Sequence, residues 1–273
     1  MSDSAVRHVG EDFDHSQRFQ GTLVSSRRLT PEGVDEVREL LFELDRADFP
    51  YQVGQSVGVV SSDEHIRLFS VADLPDTGPT GMARIRICVK RMGQASEYLC
   101  DLTPGEQVTL TGPHGMPFEV PADHTANLIL FCTGTGIAPF RAFVKYLYTN
   151  VPDWTGPVWL FYGAHNPLET LYLNDEHDDF ANYYDLDSFV AFKALGPNPR
   201  WPDSIPWDRA LDARADELLQ AFDSPNTRVY VAGPAKMRDE LDEVFAERLG
   251  SAEEWRHHRE ELAAEGRWVE LLY

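Results

Sequence analysis

Ile85, Ile87 and Val89 alternate with Arg84, Arg86, Cys88 and Lys90, the period of a strand with one buried face. Shorter runs of the same kind punctuate the first half between turn residues: Leu23-Val24, Val57-Gly58-Val59-Val60 and Val108-Thr109-Leu110-Thr111-Gly112. Glu36 to Leu44 is rich in helix formers, yet Leu40, Phe42 and Leu44 fall on one side of a two-residue alternation, so the pattern predicts a strand. The first half is expected to be an antiparallel barrel of six strands. The second half changes grammar: continuous apolar runs at Leu128–Phe131, Val158–Tyr162, Phe189–Phe192 and Val229–Ala232 are separated by stretches long enough for helices. Met237, Leu241, Val244, Phe245 and Leu249 form one helical stripe, and Trp268 to Leu272 is apolar enough to dock as a last strand. Such alternation predicts a parallel sheet with helices on both faces. The proline-rich stretch from Pro113 to Thr125 marks the boundary. The expected division is a flexible tail over 1–18, part of a polar stretch from Met1 to about Gln20, then a barrel domain over 19–122 and an α/β domain over 123–273.

A chain of 273 residues has room for two cores, and its apolar runs are too short to cross a bilayer. The N-terminus lacks a basic-then-apolar signal pattern, so a cytoplasmic location is expected. The net charge of -21 makes nucleic acid and anionic membrane poor partners. The acidic runs Asp175 to Asp179 and Asp239 to Glu247 read as solvated faces, or as a surface kept hydrated in a salty cytoplasm. Cys88, Cys100 and Cys132 have spacings that suit neither zinc nor an iron-sulfur cluster, and the nine histidines are scattered, so no metal site is expected. Electron-transfer chemistry in such a chain would need a separate carrier.

Phe131 to Phe140 reads Phe-Cys-Thr-Gly-Thr-Gly-Ile-Ala-Pro-Phe, placed between a buried strand and Phe140, Phe143, Val144 and Leu147 at helical spacing. A strand therefore runs through a glycine turn into a helix. Gly134 and Gly136 would let the backbone approach a ligand, and the unpaired N–H groups of the helix start suit a pyrophosphate. Pro139 is harmless in a first turn and stands where a Gly-x-Gly-x-x-Gly fingerprint would have its third glycine, so this loop differs from that one. Taken alone, the turn equally serves as a plain strand–helix connection.

Taken in order, Arg67-Leu68-Phe69-Ser70, Cys88-Val89-Lys90-Arg91, Gly93-Gln94-Ala95-Ser96, the Gly134 turn, Val231-Ala232-Gly233-Pro234 and the terminal Tyr273 form a set that resembles the plant-type ferredoxin–NADP reductases over about residues 19 to 273. The resemblance implies an FAD-binding barrel and an NADP(H)-binding α/β domain whose ligand rings meet at a cleft. It implies cofactor contacts from Arg67, Leu68, Phe69, Ser70, Cys88, Val89, Lys90, Gly93, Gln94, Ala95, Ser96, Thr135 and Tyr273. Arg67 offers a planar fork for the flavin's phosphate, Phe69 would pack an isoalloxazine face, and Ser70 would bring a hydroxyl near N5. Outside this set, Arg67 would read as a surface charge and Phe69 as a core aromatic. Ser96 reads as the N-cap of a short helix through Glu97-Tyr98-Leu99, with or without a pyrophosphate on its free N–H groups.

On the nucleotide side, the resemblance implies contacts from Thr133, Gly134, Thr135, Gly136, Ile137, Ala138, Pro139, Ala232, Gly233 and Pro234, while Met237 reads as core. Lys193 and Arg200 would answer a 2'-phosphate, although the family's two phosphate-gripping pairs align with Phe192-Lys193 and fall near Ile205 and Trp207. NADP(H) is the expected substrate, with NADH open. Ser70, Glu270 and Tyr273 are the expected catalytic residues. The chain departs from the family in three places. Arg91 is followed at once by Met92 and Gly93, without the insertion that brings an aromatic onto the adenine. Ala232 stands where a cysteine is usual. The ending Trp-Val-Glu-Leu-Leu-Tyr puts Glu270 one place further from the terminus, and a one-residue shift in a strand turns a side chain to the other face.

The implied activity is hydride exchange between NADP(H) and flavin N5, with single electrons passed to ferredoxin or flavodoxin. The alternatives are the reductase component of a multi-chain oxygenase and a non-catalytic flavin-bearing subunit. An acidic carrier would need a basic docking patch, for which Arg84, Arg86, Lys90, Arg91, Arg141 and Lys145 are the candidates, giving a shallow optimum of acceptor reduction at moderate to high salt.

Overall fold

The computed structural model describes residues 17–60, 65–164, 169–172, 180, 188–195, 211 and 214–273, with the backbone alone at 193–195. The acidic run 175–179, Arg200, Ile205 and Trp207 lie outside the described residues, as does the tail up to residue 16.

The first sheet is built from β1 (Arg18–Arg28), β2 (Val37–Leu44), β3 (Ser56–Val60), β4 (Ile66–Ser70), β5 (Asp76–Thr77), β6 (Ala83–Lys90) and β7 (Gln107–His114). All pairings are antiparallel, in the order β4-β3-β7-β1-β2-β6-β5. Val71 bridges to Ile87, and the Ala72 N–H donates to the Arg86 carbonyl at 2.8 Å, which joins β4 back to β6 and closes the barrel. Burial of Leu40, Phe42 and Leu44 shows that alternation prevailed over helix propensity in β2. The closed ring has the six expected strands, and β5, two exposed residues with no apolar period to read, pairs with β6 as an addition outside it. One expectation is corrected here. The polar stretch to Gln20 is too long for a tail, because β1 already pairs with β7 from Arg18.

After β7 the chain enters a parallel sheet of β8 (Asn127–Thr133), β9 (Val158–Ala164), β10 (Phe189–Leu195), β11 (Thr227–Gly233) and β12 (Trp268–Leu272), ordered β10-β9-β8-β11-β12. The two faces of β8 separate by alternation. Leu128, Leu130 and Cys132 pack with Phe140, Phe143, Val144 and Leu147 of α2 (Ile137–Asn150). Ile129 and Phe131 face the other way, onto Met237, Leu241 and Phe245 of α4 (Ala235–Leu249) and Trp255 of α5 (Ala252–Ala264). A further helix, α3 (Ala215–Asp223), adds Leu218 and Phe222 to that second layer. Both faces of the sheet are therefore covered, which is why its strands read as continuous apolar runs.

Strand order reverses at β8: the chain goes outward through β9 and β10, then returns to the other side for β11 and β12. Ligands in open α/β sheets bind at such a switch point, beyond the carboxyl ends of the strands. Thr133 and Gly233 lie at those ends.

Candidate functional site

A cleft of about 530 Å³ opens between the two sheets. Its wall on the barrel side comes from β4 (Arg67, Leu68, Phe69, Ser70), β6 (Cys88, Lys90) and the segment Met92 to Ser96. The parallel-sheet side contributes Thr135, Ala138 and Tyr273. The structure thus brings together segments from both ends of the sequence, from Arg67 to Tyr273. Val89 does not line the cleft, since alternation turns it into the barrel core, fully buried. His65 and Met92 line it without having been singled out, and Met92 is 76% exposed. Its adjacency to Gly93 was the available signal.

α1 (Gln94–Asp101) begins earlier than expected, with Gly93 as its N-cap. Ser96 is the third helical residue instead of the cap. Its Oγ accepts from the Met92 and Gly93 N–H groups at 3.0 and 3.1 Å and donates to the Gly93 carbonyl at 2.9 Å. That hydroxyl is committed to holding the turn, while the N–H groups of the first helical turn have no intrahelical acceptor. Arg67 is exposed, and neither it nor the Ser70 hydroxyl has a polar partner among the described residues. Cys88 is 5% exposed, and burial pushes its thiol up to about 12, so it presents a neutral sulfur.

Beyond β8, Gly134 adopts φ +53° with open space where a side chain would sit. Gly136 has a different reason to be glycine. A Cβ there would lie 2.0 Å from the Ala232 carbonyl oxygen, so the loop is pressed against β11 and not held open for a ligand. The Tyr162 hydroxyl, on β9, donates to the Gly134 carbonyl at 3.1 Å and props the loop from below. Thr133 and Ala232 are buried; Ile137, Ala138 and Pro139 form the buried first turn of α2. Gly233 and Pro234 lead into α4, and Met237 is 2% exposed, as expected of core. Lys193 lies on β10, beside Tyr162 in register.

Tyr273 is held by its backbone: its N–H donates to the Gly233 carbonyl at 3.2 Å, and its own carbonyl accepts from Ala235 at 3.3 Å. Its hydroxyl lies 2.8 Å from Thr135 Oγ1, while the residue as a whole is 60% exposed. Glu270 is the correction. Its carboxylate faces the helices, accepting from Arg259 Nη1 at 2.9 Å and Trp268 Nε1 at 2.8 Å, with Arg238 3.8 Å away. It does not line the cleft, because the one-residue shift turned it to the far side of β12.

The basic patch is a second correction. Arg84 pairs with Glu43 at 2.8 Å, Arg86 with Glu39 at 2.6 Å, Lys90 with Asp35 at 2.7 Å and Arg91 with Glu36 at 2.7 Å. Arg141 and Lys145 both pair with Asp73, at 3.1 and 2.6 Å. All six cations carry an internal counter-charge.

Residues 130–243 match the family model described as an oxidoreductase NAD-binding domain. The ferredoxin–NADP reductase of Spirulina sp. is 29% identical over 277 residues, covering 92% of this chain and 93% of that one. That of Thermosynechococcus vestitus is 30% identical over 275 residues, covering 91% of this chain and 71% of the relative. Among solved structures, the H286L mutant of the Plasmodium falciparum ferredoxin-NADP+ reductase superposes with a TM-score of 0.74, at 22% identity, across 96% of this chain and 98% of that one, which speaks for the fold. With the fold, the cleft and full-length relatives in agreement, the chain belongs to the ferredoxin–NADP reductase family.

Proposed function

We infer that this protein is an FAD-dependent ferredoxin–NADP reductase, moving electrons between NADP(H) and a small one-electron carrier, ferredoxin or flavodoxin. The observation that carries the reading is the cleft itself. It has the volume of a cofactor site, two partly open aromatic residues in its lining, an unpaired guanidinium, and the free N–H end of α1. A flat ring system and the two phosphates of a pyrophosphate each find a complementary group there, so the residues present fit FAD. When bound, FAD supplies the exchange between a two-electron nucleotide and one-electron carriers.

The residues of this chain do the rest. Arg67 would hold the flavin-side phosphate of the FAD pyrophosphate with its fork of donors, and the N–H groups of Gln94 and Ala95 would hold the adenosine-side one. Phe69 and Tyr273 keep water from the faces of the ring. Ser70 holds a hydroxyl at the reacting edge, and Cys88, kept neutral, adds no charge that would oppose electron arrival. On the nucleotide side, Thr135 and the start of α2 receive the second pyrophosphate, and Gly233-Pro234 shape the pocket for nicotinamide. Tyr273 must give up its contact with Thr135 before nicotinamide can reach the ring. Lys193 favours NADPH over NADH, supported by the lack of an acid at the end of β10 to repel a 2'-phosphate.

The division into a barrel domain over 19–122 and a nucleotide domain over 123–273 belongs to the same reading. So does a cytoplasmic location, which three free, buried cysteines suit. Among the described residues no helix is long and apolar enough to cross a membrane. The comparisons do not favour an oxygenase component or a non-catalytic subunit. The test is NADPH-dependent reduction of cytochrome c through added ferredoxin, with flavodoxin alongside. Carrier-dependent turnover is expected; a folded yellow protein that oxidises NADPH but reduces neither carrier would reject the acceptor assignment.

A further inference from the structure

The reading above places FAD against the barrel and nicotinamide against the parallel sheet, and hydride exchange between them demands that these two surfaces hold one separation. Within the described residues, a polar assembly centred on the buried Arg141 crosses from one surface to the other. Asp73, three residues beyond Ser70 of the cleft wall, accepts from Lys145 at 2.6 Å and pairs with Arg141 at 3.1 Å and with Arg86 at 3.2 Å. Arg141 and Lys145 belong to α2, the helix that starts from the nucleotide loop, whereas Arg86 belongs to β6. Arg141 is 6% exposed; it also donates to the Ala72 carbonyl and lies 5.0 Å above the ring of Tyr172.

Tyr172 is itself under constraint. It is 1% exposed and has φ +61°, a conformation that costs a bulky residue energy and persists only where the surroundings fix it. Its hydroxyl sits beside the Glu39 carboxylate of β2 and the Cys88 thiol, and the Arg141 guanidinium packs over its ring. A buried guanidinium in so many simultaneous contacts is expensive to desolvate and is poorly explained as a contribution to stability alone.

We propose that Arg141 is a positioning residue for the reaction: with Asp73 it bolts the nucleotide loop and α2 to the flavin wall and sets the distance between nicotinamide and flavin. The proposal rests on the functional reading above. Its geometry puts the bolt at the far end of the first turns of α2 from the loop, so loosening it lets the whole nucleotide platform shift as a unit. Misplacement of reacting groups by about 1 Å can cost on the order of 100-fold in rate while leaving the separate ligand contacts intact.

The experiment uses the FAD-loaded protein and its Arg141→Gln, Arg141→Lys and Asp73→Asn variants. Stopped-flow gives the limiting rate of flavin reduction by NADPH, titration gives the affinity for 2',5'-ADP, and long-wavelength absorbance reports the nicotinamide–flavin charge-transfer complex. Arg141→Gln and Asp73→Asn are expected to lower the limiting rate about tenfold or more and to weaken the charge-transfer band, with 2',5'-ADP affinity and FAD content retained. Arg141→Lys, which keeps the ion pair but not the fork or the ring contact, should fall between them and the parent. The double variant Arg141→Gln/Asp73→Asn should be no slower than the slower single one, since one bolt is lost either way. Unchanged limiting rates, or rates that fall only in step with 2',5'-ADP affinity and FAD content, would overturn the proposal. Asp73→Asn, nearly isosteric, carries the test if Arg141→Gln does not fold. If the parent protein is reduced by neither NADPH nor NADH, the functional reading fails instead.

Discussion

Tyr273 ends the chain, where side chains ordinarily fray, yet β12 and two backbone hydrogen bonds fix its Cα while the residue as a whole stays 60% exposed. A ring anchored through its backbone and open toward the cleft can cover a flat cofactor and must be displaced by nicotinamide. Stacking of this kind contributes roughly 0.5 to 1.5 kcal/mol, so Tyr273→Ser should bind NADP+ about 2- to 10-fold more tightly and show a charge-transfer band. Titration of the flavin spectrum checks it, and unchanged affinity with an unchanged spectrum would remove the ring from the flavin. Glu270, three places earlier, has the opposite fate. Half-buried against Arg259, Arg238 and Trp268, it ties β12 to α4 and α5. Glu270→Gln should cost about 1 to 3 kcal/mol of stability in a denaturant melt while kcat stays near that of the parent. A large loss of kcat at unchanged stability would return Glu270 to the catalytic set.

The element that carries the nucleotide reading is the turn from β8 to α2, and its two glycines are glycines for different reasons. Gly136→Ala must push against the Ala232 carbonyl, so it should destabilise by about 1 to 3 kcal/mol and disturb the β8–β11 contact. Gly134→Ala meets no atoms and pays about 1 to 2 kcal/mol for its left-handed φ alone. The discriminating measurement is NADP+ affinity beside urea stability: Gly136→Ala should weaken both, Gly134→Ala chiefly the second. The opposite order would contradict this packing. Strands with regular alternation or long apolar runs were legible in the sequence, down to β12, because a period of two needs no knowledge of partners. β5 was not, having two polar residues and no period. The cleft-lining segments were legible as an ordered set of motifs. What joins them was hidden: Asp73 with Arg141, or Tyr162 under Gly134, are contacts between distant positions that leave no local pattern. Ser96 was misplaced by one turn because a serine before a helical stretch reads as a cap, whereas here the chain turns at Gly93.

Across the whole molecule, the charge picture changes most. The six cations expected to form a docking patch are neutralised by Glu43, Glu39, Asp35, Glu36 and Asp73, so a chain of net charge -21 meets an acidic carrier with repulsion unrelieved. Reduction of ferredoxin should therefore rise with ionic strength and level off once the Debye length falls to a few Å, in place of the shallow optimum a free patch would give. A steep fall from low salt upward would mean that the patch is exposed to the carrier after all. Acid should loosen the same molecule at Asp73. Burial pushes its carboxyl up, but Arg141 and Lys145 prevail and hold it below its ordinary 3.8. A folded-state value below the unfolded one gives stability that is present above about pH 4 and lost as pH falls through the folded value. Asp73→Asn should accordingly lower Tm at pH 7, and that difference should shrink as pH falls below about 4; a difference independent of pH would show that the carboxylate's charge is not what matters.

If the cleft between barrel and parallel sheet holds an FAD that NADPH can reach, stopped-flow mixing of the purified, FAD-loaded protein with NADPH and with NADH will show it. Both nucleotides should bleach the flavin, with kcat/KM greater for NADPH. A folded, yellow protein whose flavin is reduced by neither nucleotide would contradict it.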